Sequence, residues 1–207
     1  MRSKDGRETW RRLLEWDKGQ APSERLAGQI LRMEGFESID PSHPLGGRDG
    51  LKDIVCGRGT ERWIGAAYFP RGQQAFKAIS NKFADDFEGV AQNKVDGFAF
   101  VTNQELKLGE REALVSNTKG TNVEVFHLER IASILDSPRC YGLRLEYLDI
   151  DMTKEEQLAF VAQITGMADT LTTLVKSITE QPEGRRAQSE MPIVSPRKIG
   201  GCHESFW

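Results

Sequence analysis

Apolar positions along the chain recur with a helical period in some stretches and a strand period in others, and the switches mark the elements. Trp10, Leu13 and Leu14 share a helical face, which predicts a short helix over 5–19, ended by Gly19 and Pro22. Leu26, Ile30 and Met33 predict a second helix, opened by Pro22, Ser23 and Glu24 and stopped by Gly35. The stretch from Ile39 to Gly50 holds two prolines and three glycines and reads as turns. Ile54–Cys56 and Trp63–Phe69 read as two strands, joined by a hairpin-like connection over 57–60.

Phe76, Ile79, Phe83, Phe87 and Val90 place a helix over 74–93. Gly97–Val101 and Val123–Leu128 read as buried strands, with helices over 106–115 and 128–135. Residues 143–151 are acidic and apolar in turn, and read as an extra strand. A hairpin followed by strands joined through helical crossovers predicts an α/β fold: a mixed sheet with helices on both faces.

Thr153 and Glu156 form a capping box that opens a long helix. Along it Val161, Ile164, Ala168, Leu171, Val175 and Ile178 alternate by three and four, which is heptad spacing. Packing against the domain and pairing with another chain both satisfy such a stripe. The predicted organisation is an N-terminal helix over 1–20, one domain over 21–150, a docking or oligomerisation helix over 151–180, and a disordered tail over 181–207 rich in Pro, Gly, Arg and Ser.

Composition narrows the function classes. The net charge of −3 argues against a surface coated in basic residues, although a local basic patch remains compatible with it. No apolar run approaches the roughly 20 residues of a membrane helix, and the N-terminus lacks the apolar core of a secretory signal. The expectation is a cytoplasmic protein with no membrane partner. Three separated cysteines imply neither a disulfide framework nor a zinc site.

The densest candidate chemistry is Gly46-Gly47-Arg48-Asp49-Gly50-Leu51-Lys52-Asp53-Ile54. Asp49 and Asp53 are four apart, and Asp53 stands at the mouth of a strand, where a carboxylate can hold a hard divalent cation. Aspartates also bond their own backbone in tight turns, so turn chemistry explains the pair equally well. Beyond the second strand, Tyr68-Phe69-Pro70-Arg71-Gly72-Gln73-Gln74 leads into a helix N-terminus. Arg71 can grip phosphate, and Gln73 or Gln74 can hydrogen-bond to a base or backbone. Lys52, Arg58 and Arg62 extend this into a small basic rim; helix capping and solvated charge are the plainer reading.

The glycine-rich Asp turn, its preceding helix and the following strands resemble the restriction-endonuclease-like superfamily, and within it the Mrr-type nucleases, over roughly residues 22–136. The resemblance implies a metal-binding Asp53, an accompanying Asp49, and an extra carboxylate at Glu24 in the preceding helix. It also implies Mg²⁺, a nucleic-acid partner, and a setting in bacterial DNA processing or anti-phage defence. The second strand departs from the pattern: Gly65 stands where the family has Glu or Gln, and Ala67 where it has Lys. Glu61, the nearest carboxylate, is displaced by roughly 13 Å along a strand. The sequence therefore favours a catalytically inactive nuclease-like module that binds nucleic acid or a protein partner. An active endonuclease with relocated ligands around Asp53, or an oligomerisation protein working through 153–179, are the alternatives.

Overall fold

A computed structural model describes residues 7–41, 53–116, 118 and 120–179. Asp49, Lys52 and most of the glycine-rich turn lie outside the described residues, as does the tail beyond 180. The chain divides into two units, residues 1–164 and 165–207. The first unit is an α/β domain containing all five described strands. In the second, the described residues are helical.

The elements run α1 (Glu8–Leu14), α2 (Gln20–Met33), β1 (Glu37–Pro41), β2 (Ile54–Arg58), β3 (Glu61–Tyr68), α3 (Phe76–Asn93), β4 (Gly97–Thr102), α4 (Leu108–Val115), β5 (Asn122–Phe126), α5 (Leu128–Leu135), α6 (Tyr141–Leu148) and α7 (Lys154–Thr179). The sheet order is β1-β2-β3-β4-β5. β1, β2 and β3 form an antiparallel meander, and β4 and β5 continue it in parallel through helical crossovers. Arg58 pairs with Glu61 around a two-residue turn whose Gly59 has φ +60°, a value that suits glycine.

Strand alternation sorts the side chains onto two cores. Ile54, Cys56, Trp63, Ala99, Val101 and Phe126 join α1, α2 and α5 on one face. Ile64, Ala66, Phe98 and Phe100 join Ile79, Phe83 and Val90 of α3 on the other. The first face depends on a close approach at Gly97, where an added Cβ would sit 2.2 Å from the Trp63 indole. That indole lies edge-on to Phe36, with ring centroids 5.2 Å apart. Arg58 and Arg130 border this face, ion-paired to Glu124 and lying over the Phe36 and Phe126 rings.

Three expectations change. The turn-rich stretch begins with an edge strand, β1, which is irregular: its register shifts between Glu37 and Asp40, and Ser38 has φ +50°. Bulging and a terminal proline hid the strand period. Residues 143–151 are not a strand; most belong to α6. The buried set there is Tyr141, Arg144, Tyr147 and Leu148, at helical spacing. The misleading residue is Arg144, only 4 % exposed and bonded to Asp136 (2.9 Å) and Glu156 (2.6 Å). Last, β5 is a half-buried edge strand ending at Phe126, and His127 occupies the position before α5 instead of continuing the strand. Among the described residues, no helix is long and apolar enough to cross a membrane.

Candidate functional site

Asp53 immediately precedes β2, and its backbone extends the ladder by donating to the Gly65 carbonyl (3.2 Å). Its side chain adds one more rung. The Ala67 amide of β3 donates to Asp53 Oδ2 at 2.7 Å, so a carboxylate oxygen stands where a further β2 carbonyl would otherwise be. This bond fixes the carboxylate relative to β3.

Ile54 pairs with Gly65 on the α2 face, so the alternation carries Asp53 to the α3 face. Gly65 and Ala67 point the other way. A Cβ on Gly65 would lie 3.1 Å from Leu31 and 3.3 Å from Ile54, and Ala67 packs against the same core. On Asp53's own face β3 presents Ile64, Ala66 and Tyr68, none of which binds metal. Beside Asp53 the second strand therefore supplies no ligand on either face, and its one carboxylate, Glu61, stands at the far end bonded to Trp63 and Asn122.

A carboxylate comes instead from α3. The buried stripe of that helix runs Ile79, Phe83, Asp86 and Val90. Asp86 occupies a place in it that an apolar residue would ordinarily take, and is only 5 % exposed. Its Oδ1 is ion-paired with Lys82 one turn earlier, whose side chain is 39 % exposed. Among the described residues, no donor reaches Asp86 Oδ2. Burial pushes the Asp86 carboxyl up to about 6; Lys82 opposes the shift, while the negative charges of Asp53 and Asp85 add to it. Lys82 and Asp86 of α3 are thus in direct contact, and Asp53, just before β2, lies on the same face of the sheet, near enough for its charge to act on Asp86.

The other sequence candidates fall elsewhere. Glu24 is buried in α2, across the sheet from α3. Arg62 lies near the start of β3, next to Asp96, whose carboxylate accepts from the Arg62 backbone amide at 2.9 Å. Arg71 lies beyond the opposite end of that strand, roughly 20 Å or more away at strand rise. The predicted basic rim is therefore split.

Gln73 and Gln74 bond to backbone. Gln73 exchanges two hydrogen bonds with the Glu105 main chain (3.0 and 3.2 Å), and the Gln74 amide donates to the Arg71 and Gly72 carbonyls. Gln104 and Asn103 complete this amide lattice. Gln104 accepts from the Gln74 backbone N–H (2.6 Å), and Asn103 donates to the carbonyls of Leu13 (2.7 Å) and Pro70 (2.9 Å). Both Asn103 and Gln104 are wholly buried. A shallow cleft of about 260 Å³ lies beside the lattice, walled by Phe76, Ile79, Leu106 and Glu110.

Two further groups are structural. Burial raises the Cys56 thiol to about 11, which leaves it an inert core residue. His127 is held below its usual range by burial and by the Arg111 and Arg130 charges, and its Nε2 faces Arg111 at 3.1 Å.

The Asp53–Asp86 pair offers oxygen ligands, which fit a hard cation such as Mg²⁺ and do not suit softer metals. Among the described residues, no group of three or more His, Cys, Asp or Glu gathers around a single point. Mg²⁺ commonly takes one or two carboxylates and completes its shell with water and substrate phosphate, so two ligands are chemically sufficient. No protein-family model matches the chain, and no curated protein matches it, so the site stands on its own geometry.

Proposed function

We propose that the domain is a restriction-endonuclease-like, divalent-cation-dependent phosphodiesterase acting on nucleic acid, with Asp53, Asp86 and Lys82 as its working residues. The observation that carries the reading is the buried Asp86 oxygen lacking a donor, within electrostatic reach of Asp53 and in a stripe where an apolar residue would pack better. Buried polar atoms without partners are rare in proteins, and an ion or water is a common reason for one. The order of elements supports the family: a helix, an antiparallel meander carrying Asp53 before its second strand, then a crossover helix and a parallel strand.

In this reading Asp53 and Asp86 hold the cation. Asp53 is positioned by the Ala67 amide, and Asp86 by the rigid face of α3. When bound, a divalent cation polarises a phosphoryl oxygen and makes its own water a better nucleophile. Lys82, half in solvent, takes over the position-holding role that the family gives to a strand lysine. It keeps the Asp86 carboxylate oriented and places positive charge where a phosphate would enter.

The test incubates the full chain with single- and double-stranded DNA and RNA in Mg²⁺ or Mn²⁺. Cleavage that Asp53→Ala and Asp86→Asn each reduce by at least about a hundredfold supports the assignment. Cleavage unaffected by either substitution overturns it.

A second reading is a non-catalytic module that binds nucleic acid or a protein partner. It is favoured by the packing at Gly65 and Ala67, which leaves the strand positions of a nuclease filled by core contacts. Absence of cleavage on every substrate, together with salt-dependent retention of DNA, would select it.

A further inference from the structure

α7 begins with two firm attachments. The Thr153 amide donates to Glu156 Oε2 (2.7 Å), the Glu156 amide donates to Thr153 Oγ1 (3.2 Å), and Glu156 also accepts from buried Arg144. Beyond that first turn the environment changes. From Gln157 to Thr173 every residue but Phe160 is exposed, and Phe160 is half-buried. Five large apolar side chains lie in the open: Leu158 (72 %), Val161 (58 %), Ile164 (52 %), Met167 (62 %) and Leu171 (61 %). Val161, Ile164, Ala168 and Leu171 repeat by three, four and three and form one seam, with Leu158 flanking it on one side and Met167 on the other. Exposed helices gain little stability unless such a face is covered.

We infer that α7 is a self-association helix, its apolar face covered by the same face of a second copy of this chain. Charge and area together select that occupant. Between Gln157 and Leu171 the only charged residue is Asp169, so a partner recognised by charge would find nothing to read. Helices that lie on membranes carry Lys and Arg along the polar face, and this one carries Gln and Thr. An identical face meets it without like-charge repulsion, as a two-fold interface requires. At roughly 100 Å² per large side chain, the five supply at most about 500 Å² per copy and about 1,000 Å² in a pair. That upper bound meets the floor of roughly 1,000 Å² for a specific interface, which is why the test is run at high concentration.

The experiment is sedimentation equilibrium of the full chain at about 100 µM, alongside two variants. The unaltered chain should sediment at twice its 23.3 kDa mass. Ile164→Glu combined with Leu171→Glu should weaken association at least tenfold while leaving the domain's melting temperature unchanged. Gln163→Glu combined with Thr170→Glu, on the opposite side of the helix, should leave the dimer intact. Should the first variant fail to fold, Ile164→Ala with Leu171→Ala serves instead and should also weaken pairing. A monomeric unaltered chain overturns the inference. So does a dimer indifferent to either apolar-face variant, or a monomer that pellets with phosphatidylcholine or phosphatidylserine vesicles.

Discussion

At Asp86 stability and the proposed chemistry pull in opposite directions. Its folded-state value near 6 lies above the 3.8 of an ordinary aspartate, so the folded chain holds that proton more tightly than the unfolded chain does. Its contribution is therefore favourable below about pH 4 and is lost as the pH rises through 6. At neutral pH the buried charge costs on the order of 3 kcal/mol. Asp86→Asn, measured by thermal melting in EDTA, should be more stable than the unaltered chain by about 1–2 kcal/mol at pH 7.5, with the gap closing by pH 4. Mg²⁺ should raise the melting temperature of the unaltered chain and leave that of Asp86→Asn unmoved. Equal responses of the two to Mg²⁺ would remove Asp86 from the site. Gly97 is a second residue-scale constraint, with no cation involved. Gly97→Ala forces a Cβ into the Trp63 ring and should cost about 2 kcal/mol or more, read as a lowered urea midpoint with an unchanged slope.

Element by element, what the sequence revealed depended on whether a segment buries one clean face. α2 and α3 bury regular stripes whose period shows plainly, and β3 and β4, buried on both faces, show as short continuous apolar runs. β1 is bulged and α6 buries an arginine, so neither displays the pattern of its own geometry. The site was half legible for the same reason. Asp53 stands out beside its glycines, whereas Asp86 sits among the apolar positions of α3. Reading 79, 83, 86 and 90 as one stripe exposes a carboxylate out of place, and that was the available signal; following 83 to 87 steps over it. Gln73 and Gln74 were the converse case. Their residue types suggested recognition or capping, and the structure employs them, with Asn103 and Gln104, as fasteners between loops. Asn103→Ala removes the donor from two carbonyls and should lower stability by about 1–3 kcal/mol, seen as a drop in melting temperature. Asn103→Asp should do no better, because a carboxylate offers those carbonyls no hydrogen.

For the molecule as a whole, hydrogen bonds distant in sequence tie α1 to the amide lattice and to the end of α5. The Leu13 carbonyl receives Asn103, the Leu14 carbonyl receives the Gly72 amide (2.7 Å), and Thr9 donates to Asp136 (2.5 Å). α1 is thus part of the domain and not an appendage to it. Those partners lie 90 and 127 residues downstream for Leu13 and Thr9. A chain emerging from the ribosome would carry α1 uncommitted until nearly the whole sheet had been made. Closure of α1 onto the domain is then a late event of synthesis, and a nascent chain arrested before Asp136 should remain open to protease around α1.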